Sequence, residues 1–318
     1  TLKPCELVAS TFVPMVAEAT NGRVEIQVIS FPELGLAGPD TLRLVGDGTL
    51  GFAEIYAGYV AGDLPITDAQ YLWGTVRDRD AKERAVLASR EDMDRAVSEA
   101  TGGGVILIRN WYPSDNWFFM KDPIRKLEDF KGKKIRQHST ALGDFIKGFG
   151  GEGQFVAFAD VYTALERGVL DGAVTCTTCG MGLKWYEVTD YLVGPIPDRA
   201  YTWGTVNKDE WDKIPPDLQQ ILLDVSKEYE EIQKGLRDGW EEEALATARA
   251  QGMEIIEFSP EVRKAAWDVA LNVIVPSWVN RVGGPDTDAV RMWNEHYAPN
   301  LGIQIEADGS TLEIPIAK

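Results

Sequence analysis

Residues 127–172 of this chain, LEDFKGKKIRQHSTALGDFIKGFGGEGQFVAFADVYTALERGVLDG, set one arginine on a short strand and follow it with a compact strand–helix–strand unit. Lys134-Ile135-Arg136-Gln137-His138 comes after a Lys131-Gly132 turn and alternates as a strand does, so Arg136 leaves the sheet at a strand end. Ligands of α/β proteins bind at such ends. A planar guanidinium there can grip a carboxylate through two parallel hydrogen bonds, a charge-assisted contact worth roughly 1.5 to 3 kcal/mol. Further on, Asp160 is placed to cap a helix, Gly168 to stop it, and residues 173–176 to form the next strand.

The rest of the chain repeats this alternation. Strands are expected at 24–30, 105–110, 135–138, Gly172–Cys176, Tyr201–Val206 and 253–258, separated by helical pattern rather than tight hairpins, which predicts an α/β chain with a parallel or mixed sheet. Pro216–Ala250 reads as one long helix, with proline at its start, Gly252 just past its end, and Leu218, Ile221, Leu222, Val225 and Tyr229 on one face. Residues 6–19 carry a helical pattern with Pro14 inside it. Residues 303–314 alternate around Asp308-Gly309 and predict a small hairpin.

Charge and motif content remove several functions. A net charge of −18 argues against nucleic acid or an anionic membrane as partner, because phosphate binding needs clustered lysine and arginine. The apolar stretches are too short to cross a bilayer. No leader is visible, which fits either a cytoplasmic protein or a mature form whose leader has been cut away. Gly46-Asp47-Gly48-Thr49-Leu50-Gly51 matches a dinucleotide fingerprint literally, but a helical pattern precedes it where a strand is required, so it reads as a helix-ending turn. Cys176-Thr177-Thr178-Cys179 leaves open a local disulfide, a redox site or half a zinc site; with two histidines, His138 and His296, and no second pair of this kind, zinc is disfavoured. No cofactor or metal is expected.

Aromatic residues concentrate at 110–119, NWYPSDNWFF, in a chain with ten tryptophans. Flat apolar walls suit a flat ligand, and ring pairs contribute about 0.5 to 1.5 kcal/mol beyond area burial. Such rings equally build cores.

The ordered motifs KGKKIR, FADVYTALERGVLDG and KWYEVTDYL (184–192) resemble the solute-binding proteins of tripartite ATP-independent periplasmic (TRAP) transporters, of the DctP type. NGRVEI (21–26) and NKDEW (207–211) extend the resemblance over most of the chain. It implies a two-lobe clamshell with hinge strands near Trp111 and Trp203, and a long helix spanning both lobes. The first lobe would hold 1–113 plus 202–242, the second 114–201 plus 243–318. It also implies a periplasmic protein, expected as a monomer, that hands a small carboxylate to a membrane permease and leaves it chemically unchanged. Family members begin with a strand before the first helix, so residues upstream of Thr1 are expected.

By the same resemblance Arg136 is the main carboxylate ligand. Asn116 stands where many members place a second polar or basic contact, and Thr175 where many place asparagine. These departures point to an acid with few hydroxyls. Phe158, Tyr56, Tyr59 and Glu54 fall at cleft positions, with Tyr56 preferred because its hydroxyl can meet the ligand while its ring packs. Trp117 is the expected stacking wall; Trp203, Trp73 and Cys176 complete the set. Two other classes stay open: an enzyme on organic acids with Cys176 or Cys179 as nucleophile, and a redox protein using that cysteine pair.

Overall fold

The computed structural model describes residues 3–31, 33–36 and 38–316. Two sheets and a hairpin organise the chain. In the smaller sheet, β1 (Phe52–Ile55) and β2 (Val105–Trp111) flank β8 (Tyr201–Val206), both antiparallel to it. The larger has the order β5-β4-β6-β3-β7-β9, built from β3 (Asn116–Met120), β4 (Lys134–Gln137), β5 (Glu152–Phe155), β6 (Gly172–Cys176), β7 (Tyr191–Ile196) and β9 (Glu254–Glu257). Strand β3 runs antiparallel to both of its neighbours and the remaining pairs are parallel. The tail hairpin is β10 (Ile303–Ile305) with β11 (Thr311–Glu313), as its alternation predicts.

Strands β3 and β7 escape periodicity for a physical reason. Phe118 and Met120 enter one core with Phe130, Ile135, Phe145 and Phe149, while Trp117 and Phe119 enter another with Leu165, Trp185 and Ala248. A strand covered on both faces has no polar side to alternate with.

The expected strand at 24–30 does not form: the segment has no ladder partner among the described residues, and Val28 and Ile29 stay exposed. A strand exists only through its neighbours, and none runs beside this one. Asp160 sits at the cap position of helix Val161–Glu166 but in helical backbone, following a 3-10 turn at Phe158–Asp160, with no side-chain cap bond. Gly168 does take the left-handed conformation that ends the helix, at φ 73°. The first helical pattern is continuous over Lys3–Leu7, Val8–Phe12 and Val13–Ala19, and the middle piece widens to a π-turn just before Pro14, which cannot donate a backbone bond.

Helix Pro216–Ala250 matches its expected limits. Leu222, Val225 and Tyr229 pack beneath the small sheet with Phe12 and Leu107, and Ala244 and Ala248 pack against the large one. Beside it, the connections 112–115 and 197–200 run together between the sheets, tied by the Tyr112 N–H donating to the Ala200 carbonyl at 2.7 Å. Trp111 closes β2, whereas Trp203 lies inside β8 opposite Arg109, away from this crossing. The C-terminal helices reach back to residues 64–89, through Trp278 Nε1 donating to the Pro65 carbonyl (2.8 Å), Arg281 donating to Asp68 (2.8 Å) and the Ser89 hydroxyl donating to the Tyr297 oxygen (3.1 Å).

A charged layer fills the crossing. Arg79 bonds Asp115 through Nε at 2.8 Å and lies 2.8 Å from Glu241, while Arg199 pairs with Asp238. Burial first, and then Asp115, push the Glu241 carboxyl up to about 7 against the pull of Arg79 and Arg199. A raised carboxyl means that the folded protein holds a proton the unfolded chain releases. That contribution to stability is fully present below the unfolded value and fades as pH rises through about 7. Glu241→Gln is therefore expected to gain melting temperature relative to the parent between about pH 5 and about pH 8. A constant difference across that range would contradict the assignment.

Candidate functional site

Arg136 sits on β4 and is 1% exposed. Its Nε donates to the Val156 carbonyl and its Nη1 to the Val174 carbonyl, both at 3.2 Å, which pins the guanidinium across the ends of the parallel strands. Nη2 has no hydrogen-bond partner, and no acidic side chain pairs with this arginine among the described residues. A buried cation without an anion is costly unless a ligand brings the negative charge. Phe158 lies beneath it, its ring centre 5.5 Å from the guanidinium carbon.

Rings from both sheets meet around His138, two places past Arg136 and near enough to feel its charge. Tyr56, just past β1, stacks on Tyr112 at 5.7 Å and meets Tyr59, Tyr71 and His138 edge-on at 5.0, 5.2 and 5.3 Å. Trp73 covers the other side of His138 at 5.7 Å. The Tyr56 hydroxyl and His138 Nε2 are 3.5 Å apart, and His138 Nδ1 has no partner. Burial, then the neighbouring Arg136, drive the His138 pKa well down, so its imidazole is neutral. Burial likewise lifts Tyr56, Tyr71 and Tyr112, so their hydroxyls stay protonated and can donate. Arg136 is thus the site's one unpaired cation among the described residues.

Of the residues singled out in the sequence, Tyr56, Tyr59 and Trp73 meet around His138, and Phe158 packs against Arg136. By strand register Trp117 and Thr175 face each other on the Arg136 side of the large sheet. Trp117 is 4% exposed, its indole N–H unpartnered and its ring flat against Gly194, where a Cβ would lie 2.9 Å away. Asn116 turns to the opposite face and bonds Asp198 at 2.8 Å. It lines, with Tyr71, Trp73, Lys82 and Asp198, a cavity of about 10 Å³, room for one water-sized group.

Cys176 forms a disulfide with Cys179 at the start of helix Thr177–Gly182, the local pairing among the alternatives left open, so it is neither a free nucleophile nor half of a zinc site. Two expectations need correction. Trp203 is fully buried in β8, with its indole N–H on Asp94 at 2.9 Å. Glu54 bonds Thr202 and Asn110, on the face packed by the first helix, and burial raises its pKa. Neither joins the ring cluster. Both lie on the small sheet, whose strand directions only the three-dimensional pairing reveals.

Sequence reasoning missed Tyr71, Tyr112, His138, Lys82 and Asp198 as site residues. Tyr112 stood in the aromatic run and His138 two places past Arg136, so both carried a usable signal. Tyr71, Lys82 and Asp198 carried none.

With this geometry in view, the comparisons are specific. The model of the family DctP, bacterial extracellular solute-binding protein, family 7, matches residues 2–280. The chain is similar to the C4-dicarboxylate-binding periplasmic protein DctP of Rhodobacter capsulatus, 26% identical over 89% of this chain and 85% of that one. Its fold is similar to a Bordetella pertussis extracytoplasmic solute receptor binding pyroglutamic acid, with TM-score 0.83, 20% identity, and 92% and 94% of the two chains covered. It is also similar to a TRAP periplasmic solute-binding protein of Desulfovibrio salexigens with bound orotic acid, with TM-score 0.81, 21% identity, and 94% and 96% covered.

Proposed function

We propose that this chain, which belongs to the DctP family of bacterial extracellular solute-binding proteins, captures a small ring-bearing monocarboxylate on Arg136 and delivers it in the periplasm to a TRAP membrane permease. The chain is a solute-binding receptor and not an enzyme. Among the described residues no helix is long and apolar enough to cross a membrane.

The carrying observation is the buried Arg136 with a free Nη2, no acidic partner among the described residues, and the Phe158 ring against its guanidinium. One unpaired cation neutralises one carboxylate. Tyr56, Tyr112, Trp73 and Phe158 favour a flat or cyclic body over a sugar acid, aromatic acids included. Pyroglutamic and orotic acids, named for the two similar structures, are ring acids with one carboxylate, which supports the same reading.

Binding proceeds as a clamshell with lobes 1–113 plus 202–242 and 114–201 plus 243–318, acting as a monomer. The acid meets Arg136 and the rings of the first lobe then close, a population shift driven by contacts made only when shut. Micromolar affinity corresponds to about −8 kcal/mol, within reach of one clamp, a few hydrogen bonds and ring burial.

Gly58 permits this closure. A Cβ there would lie 2.9 Å from His138 Nδ1 and 2.8 Å from Tyr56 Cε1. Gly58→Val is expected to wedge the rings apart and weaken acid binding about tenfold or more, with a larger radius of gyration in the presence of ligand. Unchanged affinity would remove Gly58 from the closing surface.

The testing experiment is thermal unfolding against hydroxybenzoates, phenylacetates, keto acids, cyclic amide acids, dicarboxylates and sugar acids, because a ligand at about 100 times its Kd adds about 2.7 kcal/mol to the native state. Ring monocarboxylates are expected to give the largest shifts. The reading fails if no acid shifts the transition and no acid is released on denaturation.

A further inference from the structure

His138 follows β4 of the large sheet, yet the groups that cover it follow β1 of the small one. The Tyr56 and Tyr59 rings meet it edge-on at 5.3 and 6.2 Å, and Trp73 covers it at 5.7 Å. The Gly58 backbone comes so near that a Cβ there would stand 2.9 Å from Nδ1. Only 4% of His138 stays exposed. Both ring nitrogens therefore face protein: Nε2 lies 3.5 Å from the Tyr56 hydroxyl, and Nδ1 faces Gly58 with no partner. An imidazolium carries an N–H on each nitrogen and needs acceptors for both, and a counter-charge besides. The surroundings supply none. Residues 56–60 hold two tyrosines and no charge, and Arg136, two places back on the same strand, is itself a cation. Asp198 acts on Tyr56, Tyr71 and Tyr112 but is paired with Lys82 at 3.2 Å. On the helix that follows, Thr140–Gly148, Asp144 accepts from Ser277 at 2.9 Å and Lys147 is exposed.

We propose that His138 couples closure to protons: it is neutral while the rings of the small sheet sit on it and takes up a proton when they part, so that acidification opens the clamshell and releases the acid. This rests on the closure reading above and adds its regulation. With the rings withdrawn the imidazole meets water and titrates near its ordinary value of about 6.5. Closed, burial first and then Arg136 hold it well below that, against the pull of its own backbone carbonyl. A bound carboxylate offsets the charge of Arg136 but leaves the burial, the larger cause, in place. The sign follows. The closed form binds fewer protons than the open one, so affinity is full above about pH 7.5 and falls by up to about tenfold per pH unit below about pH 6.

The test is calorimetric titration with pyroglutamate, orotate and benzoate at pH 8 and pH 5.5, where the carboxylates of all three remain ionised. Whichever of them binds is expected to do so about tenfold more weakly at pH 5.5. Glu241 and Asp68 titrate in the same range, at about 7 and about 6, so variants assign the effect. His138→Gln and His138→Phe should each bring the ratio of the two Kd values under about threefold. A second measurement needs no variant and decides the matter if neither folds. Binding enthalpies at pH 6.5 in two buffers of different ionisation enthalpy should count about half a proton released per acid bound, and about none at pH 8. A parent ratio under about threefold, a ratio that persists in both variants, or no proton release at pH 6.5 overturns the proposal and leaves the Arg136 clamp standing. If none of the three acids binds at pH 8, the clamp and this proposal fall together.

Discussion

Arg136→Ala is expected to weaken binding of the cognate acid more than about a hundredfold, a loss of roughly 3 kcal/mol or more, because a buried charge-assisted pair loses one member and the carboxylate keeps its desolvation cost. The ligand-free protein should melt close to the parent. Two bonds to the Val156 and Val174 carbonyls are lost, but so is the cost of burying a cation that no acidic side chain balances. Arg136→Lys separates charge from geometry: a lysine keeps the charge without the planar fork, and should recover only part of the affinity. The measurements are calorimetric Kd values and ligand-free melting curves. A Kd within about threefold of the parent would show that Arg136 does not hold the carboxylate.

The second large effect concerns folding. Asp68 is 0% exposed; Arg281 reaches its Oδ2 at 2.8 Å, and its Oδ1 has no partner. Arg281 also bonds Ser277 at 2.9 Å and approaches Asp144 at 3.7 Å, joining the last helices to the turn Pro65–Tyr71. Arg281→Ala strands a buried carboxylate and should cost about 3 to 5 kcal/mol near neutral pH. The pH dependence has a definite sign. Burial already lifts Asp68 to about 6 with Arg281 present, so its protonated form is favoured in the folded protein below that value. Without Arg281 the carboxyl rises further, and the defect should shrink on going from about pH 8 to about pH 5. Adding Asp68→Asn should recover much of the loss. Urea unfolding at both pH values checks this; a defect of under about 1 kcal/mol at pH 8 would show that the pair is dispensable.

The positions of Arg136 and Asn116 were legible to different degrees. Arg136 followed from a turn, a short strand and the rule that such strands end at a ligand, all local in sequence. Asn116 was placed by family resemblance, yet its orientation comes from Asp198 and Lys82, respectively 82 residues after and 34 before it in sequence number. Tyr71 carried no pattern that separates a site ring from a core ring, since both are large, buried and apolar along most of their surface. Glu54 and Trp203 were misplaced because the faces of β1 and β8 depend on the antiparallel register Glu54↔Gly204 and Ile55↔Trp203.

By itself the sequence determined what short-range physics can specify: the α/β alternation, the helix Pro216–Ala250 between its proline and glycine, the Gly168 stop, the tail hairpin and the strand-end arginine. Only the tertiary structure decided that residues 24–30 stay unpaired, that β3 and β7 are strands buried on both faces, and that rings from two sheets meet around His138. The reason is common to all three. A strand acquires its identity, and a ring its role, from neighbours distant in sequence, and no local periodicity records who those neighbours are.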